Sequence, residues 1–284
     1  MQNIAMLLLV KGVMIGSIYA LISLGFNVIY RTTGVLNFAQ GEFVMVGGLS
    51  AAWASGTGRV PLAGAIGIGL GTAAAVGWLV DALAIRPLRQ ASASVQIIAT
   101  VGVSICLRAL AAIFWGTDPC HLPPLQPGSV QLAGVAVEIQ NLWMLGAGAV
   151  GMAALAVGFR WTATGRAMRA CAENPEAARL CGVNPGRMSA LAFTLSALLG
   201  GLGGILLTPV LSMSYDRGTM LGLKGFAAAI LGGLGHPVAG VAGGLILGVL
   251  EQCSAWYSSL YKETLALALV VILLLLRPKG LLAR

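Results

Sequence analysis

Apolar segments of membrane-spanning length dominate this chain of 284 residues. Eight segments, most of them about 19 to 26 residues long, could each cross the hydrocarbon layer of a bilayer as a helix. They cover residues 12–30, 35–54, 61–85, 95–115, 141–161, 188–213, 238–257 and 264–276. Charged residues make up only 9% of the chain, against about 25% in soluble domains. Transmembrane β-barrels alternate apolar and polar residues in strands of about ten. We therefore predict an all-α, polytopic transmembrane helix bundle formed by a single domain over residues 1–284.

Basic residues in the connecting segments predict how the chain is oriented. Segment 160–187 contains five arginines, and Arg86 and Arg89 share another loop, whereas segment 116–140 contains no Lys or Arg. The positive-inside rule places the first two in the cytoplasm and the third outside. The net charge of +8 is then a signal of membrane orientation and lipid contact, and no nucleic-acid partner is expected.

The number of crossings depends on a short Gly-rich segment, residues 221–235. Eight crossings would place both termini outside, yet the tail carries Arg277, Lys279 and Arg284, which favour the cytoplasm. Counting 221–235 as a short crossing of its own gives nine crossings and a cytoplasmic tail, which we favour over eight. In the external loop, the alternation around Ala133-Gly134 predicts a β-hairpin.

The chain lacks the motifs of the common hydrolytic and metal-dependent enzymes. It contains no G-x-x-x-x-G-K-[ST] and no H-E-x-x-H sequence. Its two histidines, His121 and His236, are far apart, and its five cysteines have no metal-ligand spacing. We therefore expect no enzymatic activity, no catalytic residues, no metal site and no cofactor on this chain.

Polar residues inside an apolar segment are functional candidates because they are costly to bury in a membrane. Asn37, Gln40 and Glu42 cluster near the start of segment 35–54, around Gly41, where the helix could be loosened. One interpretation is the polar lining of a substrate pathway. The other is a hydrogen-bond network between helices, or a helix end at the cytoplasmic surface.

Three isolated charges lie in other segments: Arg108, Lys224 and Glu251. Arg108 lies in the outer half of its segment and Glu42, by linear count, in the inner half, so the sequence argues against their pairing. For Arg108 and Glu251 it favours snorkelling or a local ion pair. Lys224 would mark the external mouth of a pathway or anchor one end of the Gly-rich segment.

Two stripes of small residues recur at a spacing of four and predict close helix packing. We expect this packing within one subunit, with an interface between subunits as the alternative. The stripes are Ala63, Gly67, Gly71 and Ala75, and Gly240, Gly244 and Gly248.

The arginine-rich loop 162–187 encodes a short capped helix. Asn174 is suited to cap it, Pro175 to begin it, Glu176 and Arg179 to match its dipole, and Gly182 to end it. Such a helix could dock on a cytoplasmic partner, or it could lie on the membrane surface with its arginines on lipid headgroups.

With these residues in place, the chain resembles the LivH-type permease family of ABC importers for branched-chain and other hydrophobic amino acids. The resemblance runs along nearly the whole chain. It is strongest in GSIYAL (16–21) followed by VLNFAQGE (35–42), in AENPEAARLCGVN (172–184), in KGFAAAILGGLG (224–235) with Gly240 to Gly248, and in RPKGL (277–281).

The resemblance implies a permease subunit in the bacterial cytoplasmic (inner) membrane. It implies a LivM-type second permease, two LivG/LivF-type ATPase subunits that bind the ATP and Mg²⁺, and a periplasmic solute-binding protein. The family's ATPase-coupling loop falls on Glu173, Asn174, Pro175, Glu176, Ala177, Ala178, Arg179, Leu180 and Gly182.

One position departs from the family pattern: Gln40 stands where the family commonly has His. A protonation role there is thereby put in doubt, but a hydrogen-bonding role is not. Relatives carry Leu, Ile and Val but also amides, urea and aromatic acids, so the sequence leaves the solute open. A stand-alone secondary transporter is the alternative, and it would need midplane carboxylates and paired broken helices.

Overall fold

The computed structural model describes residues 2–132, 135–257 and 261–276. Its α-helices are α1 (Gln2–Thr33), α2 (Gln40–Gly56), α3 (Leu62–Val80), α4 (Ala93–Trp115), α5 (Ile139–Trp161), α6 (Ala163–Glu173), α7 (Pro175–Leu180), α8 (Pro185–Leu211), α9 (Arg217–Gly232), α10 (Pro237–Tyr257) and α11 (Lys262–Leu276). A π-helical turn, Asp81–Ile85, and a 3-10 turn, Arg86–Leu88, follow α3. The Ala133-Gly134 turn and the basic residues of the tail lie outside the described residues.

Helices form most of the described structure, which confirms the all-α, polytopic class. Six of the helices in the described ranges, α1, α3, α4, α5, α8 and α10, are long and apolar enough to cross a membrane. Helices α2, α9 and α11 have 17, 16 and 15 residues, fewer than the roughly 20 that a full crossing needs. Helix length and composition therefore support six crossings and do not establish the predicted eight or nine.

Helix α1 is the central element, and it packs against α10, α8, α9 and α5. Its contact with α10 is backbone to backbone. A Cβ on Gly16 would lie 2.8 Å from Leu245 Cα, and Cβ atoms on Gly244 and Gly248 would clash with the backbone of α1. The second small-residue stripe thus packs within one chain, as predicted. On α3, by contrast, Gly67 and Gly71 have no described atom within 4 Å of where a Cβ would stand.

The two ends of the bundle differ in what covers them. Strands β1 (Ser129–Leu132) and β2 (Val135–Glu138) pair antiparallel, and Val137 packs against Met14 in the first half of α1. Thr32 and Thr33 at the end of α1 instead line a cavity with residues of α7. We call these the hairpin end and the α7 end; α1 runs from the first to the second.

The second apolar segment is only partly helical, which corrects the sequence prediction for 35–54. After Gly34, which adopts a left-handed φ of 73°, the chain continues without helix until Gln40 begins α2. A Cβ on Gly25 would collide with the Gln40 amide, so the first residue of α2 lies beside Gly25. Gly25 precedes the last residue of α1 by about two helical turns. The break therefore precedes Gly41, which is itself helical.

A second interruption lies between α8 and α9. Residues 212–216 are not helical, and α9 begins at Arg217, earlier than the predicted Gly-rich segment. Met213 exchanges two backbone hydrogen bonds with Cys120 of the external loop, at 2.8 and 2.9 Å. The first turns of α9 and α2 then meet, since a Cβ on Gly41 would collide with the backbone carbonyl of Gly218.

Candidate functional site

The non-helical segment 34–39 places polar groups inside the bundle. Asn37 is buried, and its Oδ1 accepts a hydrogen bond from the Ala39 N–H at 3.1 Å, which turns the chain into α2. Two hydrogen bonds join Gln40 to Ser196 of α8. The Ser196 hydroxyl donates to Gln40 Oε1 at 2.5 Å, and Gln40 Nε2 donates to the Ser196 carbonyl at 3.2 Å. Gln40 thus serves as a hydrogen-bonding residue that fastens the start of α2 to α8.

Glu42 lies at the junction of α2, α4 and α9, and its side chain is 0% exposed. Its Oε1 accepts hydrogen bonds from the hydroxyls of Ser104 at 2.8 Å and Thr219 at 3.1 Å. Arg108 Nε lies 3.7 Å from the same oxygen. The other oxygen, Oε2, has no hydrogen-bond partner among the described residues.

The structure thereby brings Glu42 and Arg108 together, and the prediction against their pairing is wrong. The linear count assumed that 35–54 is one helix with a rise of 1.5 Å per residue. Residues 34–39 are not helical, and the start of α2 lies beside Gly25, about two turns inside the end of α1, so Glu42 lies deeper than the count allows. The Arg108 side chain is still 34% exposed, although its Nε is buried.

Sequence reasoning missed the other wall of this site, a polar stripe on α4. Gln96, Thr100 and Ser104 are its buried polar residues, and Arg108 continues the same spacing of four. The stripe faces segment 34–39, because the Phe38 N–H donates to Thr100 Oγ1 at 3.2 Å. Residues four apart share one helix face, so this signal was available in the sequence.

Lys224, Glu251 and Tyr19 form a second buried cluster, between α9, α10 and α1. Lys224 Nζ lies 2.9 Å from Glu251 Oε1, and the Tyr19 hydroxyl donates to Glu251 Oε2 at 2.6 Å. Both carboxylate oxygens are therefore engaged. Lys224 is buried inside the bundle, and Glu251 pairs with it across two helices and therefore does not snorkel.

Helix α7 has the caps that the sequence predicts. Asn174 Oδ1 accepts hydrogen bonds from the N–H groups of Glu176 and Ala177, each at 3.0 Å. Gly182, with a φ of 83°, ends the turn. Ala178 is buried against its own chain, so it cannot face a partner, whereas Leu180 is 91% exposed.

A buried carboxylate ties this loop to the end of α3. Asp81, in the π-helical turn, accepts a hydrogen bond from the Ser189 hydroxyl of α8. Arg89 lies 3.4 Å from the same Asp81 oxygen and also donates to the Gly186 carbonyl at 3.1 Å. Beside this cluster lies a cavity of about 560 Å³ whose lining includes Glu176 and Arg179.

The site combines breaks in two helices, buried polar groups at the breaks and a capped helix at one end of the bundle. Within the described ranges, no group of three or more His, Cys, Asp or Glu side chains is placed to hold a metal ion. Such an architecture defines a polytopic helical membrane protein with polar groups in its interior, as transport proteins have.

Comparison with known proteins identifies the family. Residues 8–276 match the family model described as "Branched-chain amino acid transport system / permease component". The chain is similar to the high-affinity branched-chain amino acid transport system permease protein LivH of Escherichia coli K12, with 34% identity over 96% of this chain and 94% of LivH. It is 32% identical to BraD of Pseudomonas aeruginosa over 97% of this chain and 95% of BraD. A probable LivH of Methanocaldococcus jannaschii is 27% identical over 96% of this chain. The chain belongs to this family of permease components.

Proposed function

We propose that this chain is the inner-membrane permease subunit of an ATP-driven ABC importer for branched-chain or other hydrophobic amino acids, or related small solutes. Membership of the permease family supports this assignment, as do the names of the relatives. A second, LivM-type permease would complete the translocation pathway. Two LivG/LivF-type ATPases would bind ATP and Mg²⁺, and a periplasmic binding protein would deliver the solute.

Asn37, Gln40 and Glu42 would line or gate the pathway. The observation that carries this proposal is the carboxylate of Glu42, which is fully buried with one oxygen unpartnered among the described residues. A buried charge with an unsatisfied oxygen costs free energy. Such a cost is typical of a site that another charged or polar group completes.

Helix α7 would couple the permease to an ATPase. Its surface toward a partner would consist of Glu176, Ala177, Arg179 and Leu180, which are exposed, while Ala178 holds the helix to its own chain. Glu173, Asn174, Pro175 and Gly182 would shape that surface by ending α6 and by starting and ending α7. An exposed leucine flanked by charges suits helix-in-groove docking.

Nine crossings would orient the chain consistently. Helices α2 and α9 would each complete a crossing together with the non-helical segment before it, 34–39 or 212–216, and α11 would be the ninth crossing. The α7 end, which contains Arg86, Arg89 and Arg179, would face the cytoplasm, and loop 116–140 would lie outside.

A secondary transporter remains the second candidate, because one observation favours it. The starts of α2 and α9, each of which follows a non-helical segment, meet near Glu42, and paired broken helices near a carboxylate are typical of ion-coupled transporters. The two functions differ in their energy source, which an uptake assay in proteoliposomes distinguishes. The ABC assignment requires ATP and the ATPase subunits, and uptake driven by an ion gradient alone would overturn it.

The coupling role can be tested by reversing the charge of Arg179. Arg179→Glu should weaken co-purification with the ATPase and reduce ATP hydrolysis stimulated by the loaded binding protein. Arg59→Glu is the matched control, because Arg59 is an exposed arginine in the loop between α2 and α3. If Arg179→Glu and Gly182→Pro both leave stimulated hydrolysis at the level of Arg59→Glu, then α7 is only a connector.

A further inference from the structure

We propose that Glu42 and Arg108 are the two poles of an internal binding site for a zwitterionic α-amino acid. The ammonium group of the ligand would bind Oε2 of Glu42, and its carboxylate would bind the guanidinium of Arg108. This inference rests on the proposed function, and it narrows the class of solute that the pathway accepts.

The first support is that polar atoms on both sides of the site lack partners. Glu42 Oε2, Asn37 Nδ2 and Arg108 Nε are each buried without a hydrogen bond among the described residues. Native proteins satisfy most buried polar groups, and the exceptions call for an explanation. One free acceptor and one free donor thus belong to the Glu42–Arg108 pair, and a further free donor, Asn37 Nδ2, belongs to the segment that precedes α2. This set matches the ammonium donor and carboxylate acceptors of an amino acid.

The second support is the geometry of the charge pair. Arg108 Nε and Glu42 Oε1 are 3.7 Å apart, which is an ion pair but not a hydrogen bond. In an α-amino acid the ammonium nitrogen and the carboxylate carbon are separated by about 2.5 Å, as the standard bond lengths and angle at Cα require. A single ligand can therefore span both poles with a modest separation of the two side chains, and Arg is suited to bind its carboxylate through two parallel hydrogen bonds.

The third support is continuity with the α7 end of the bundle. The cavity of about 560 Å³ at that end is lined by Val35 and Gln96, among others. From Gln96 the polar stripe of α4 continues through Thr100 and Ser104 to Glu42. One face of α4 and segment 34–39 thus connect the cavity with the two poles.

Aromatic side chains beside the polar stripe of α4 could contact the apolar side chain of the ligand. The rings of Phe38 and Phe226 are 5.2 Å apart, and those of Phe226 and Phe26 are 5.6 Å apart. Phe38 is in segment 34–39 and donates its backbone N–H to the α4 stripe. This aromatic cluster can contact a hydrophobic side chain as it passes.

Access to Oε2 requires α9 to move. In this structure Oε2 lies against Gly218, where a Cβ would collide with it. The hydroxyl of Thr219 in the same turn donates to Oε1. A ligand ammonium would therefore reach Glu42 only when the first turn of α9 withdraws, which makes the junction of α2 and α9 the element that opens.

The two poles predict which solutes are accepted. An α-amino acid satisfies both Glu42 and Arg108. An amide or a free carboxylic acid with the same side chain leaves one charge without its partner, and urea leaves both. The probes are L-leucine, L-leucinamide and 4-methylpentanoate, added to the purified permease complex while its thermal unfolding midpoint is measured. A ligand that binds only the folded state raises this midpoint.

For the wild-type chain we expect L-leucine to raise the midpoint at a concentration about tenfold lower than either of the other two probes, a ratio that corresponds to about 1.4 kcal/mol. The double variant Glu42→Gln/Arg108→Gln should lose this preference. This double variant removes both members of the ion pair and leaves neither charge buried without its partner, so it should fold. Lys224→Gln/Glu251→Gln is the matched control, since it neutralises the other buried pair, and it should keep the preference for leucine.

Arg108→Lys provides a second variant that keeps the charge but not the planar fork. It should weaken the response to leucine and leave the response to leucinamide unchanged. The inference is overturned if the double variant responds to leucine like the wild type, if the acid or the amide matches leucine, or if leucine has no effect on the wild type. Failure of the proposed function would appear separately, as a permease that neither co-purifies with an ATPase nor supports ATP-dependent uptake.

Discussion

The contact between α1 and α10 makes Gly16 sensitive to a single methyl group. In Gly16→Ala the new Cβ would lie 2.8 Å from Leu245 Cα, 2.9 Å from the Gly244 carbonyl oxygen and 3.1 Å from the Leu245 carbonyl oxygen. The preferred separation of such atoms is about 3.5 to 4.0 Å. All three neighbours are backbone atoms, so no side chain can rotate away and the two helices must separate by roughly 1 Å.

The cost of this separation can be set against the gain in helix propensity. Overpacking a well-filled core costs about 1 to 3 kcal/mol, whereas Gly to Ala in a helix interior gains up to about 1 kcal/mol. We expect Gly16→Ala to lower the free energy of unfolding by up to about 2 kcal/mol, the difference between these two effects. The measurement is denaturant titration of the purified chain, followed by its helical circular dichroism.

Gly71→Ala is the control for this prediction. Gly71 is also in the interior of an apolar helix, but no described atom lies within 4 Å of its Cβ position. The propensity gain is the same for both variants, so their difference reports the steric cost alone. Gly71→Ala should leave stability unchanged or raise it slightly. Equal stabilities of the two variants would refute the reasoning that α1 and α10 are held at backbone contact.

Three further predictions concern the ends of the bundle. In single-cysteine variants, an impermeant maleimide applied to intact cells should label Cys120 and not Cys181. Burial and, to a smaller extent, the nearby Asp118 charge raise the pKa of the Cys120 thiol. The labelling rate of Cys120 should therefore keep rising above the pH range in which an ordinary thiol ionises. Labelling of Cys181 without permeabilisation would show that the proposed orientation is inverted. Asp81→Asn should lower the unfolding free energy by about 1 to 3 kcal/mol, because it removes a buried charge that pairs with Arg86 and Arg89 and that accepts a hydrogen bond from the Ser189 hydroxyl; a change below experimental error would mean that the cluster is not structural. Asn174→Ala should cost about 0.5 to 2 kcal/mol of local helix stability and raise amide hydrogen exchange in α7, where exchange at the wild-type rate would count against the cap.

The charge pattern, the apolar segments and the capping residues could be interpreted without a structure, because each acts locally. Asn174, Pro175 and Gly182 predict where α7 begins and ends, since capping depends on atoms within a few residues. The length of apolar segments predicts membrane helices because the bilayer thickness is an external constraint. The spacing of Gly240, Gly244 and Gly248 likewise predicts close packing, although not the partner, which proved to be α1.

Tertiary structure decided which distant polar residues meet. The sequence shows that Glu42 and Arg108 lie in apolar surroundings, but their pairing depends on how far the chain rises between residues 34 and 42. That rise changes because residues 34–39 are not helical, so the helical rise of about 1.5 Å per residue does not apply to them. The partner of Lys224 was undetermined for the same reason, since Glu251 and Tyr19 belong to other helices. Interactions between residues that are close in sequence determine the helices and their caps. The depth of a side chain in the bundle, and the residue it pairs with on another helix, depend on the geometry of all the helices and loops between the two residues.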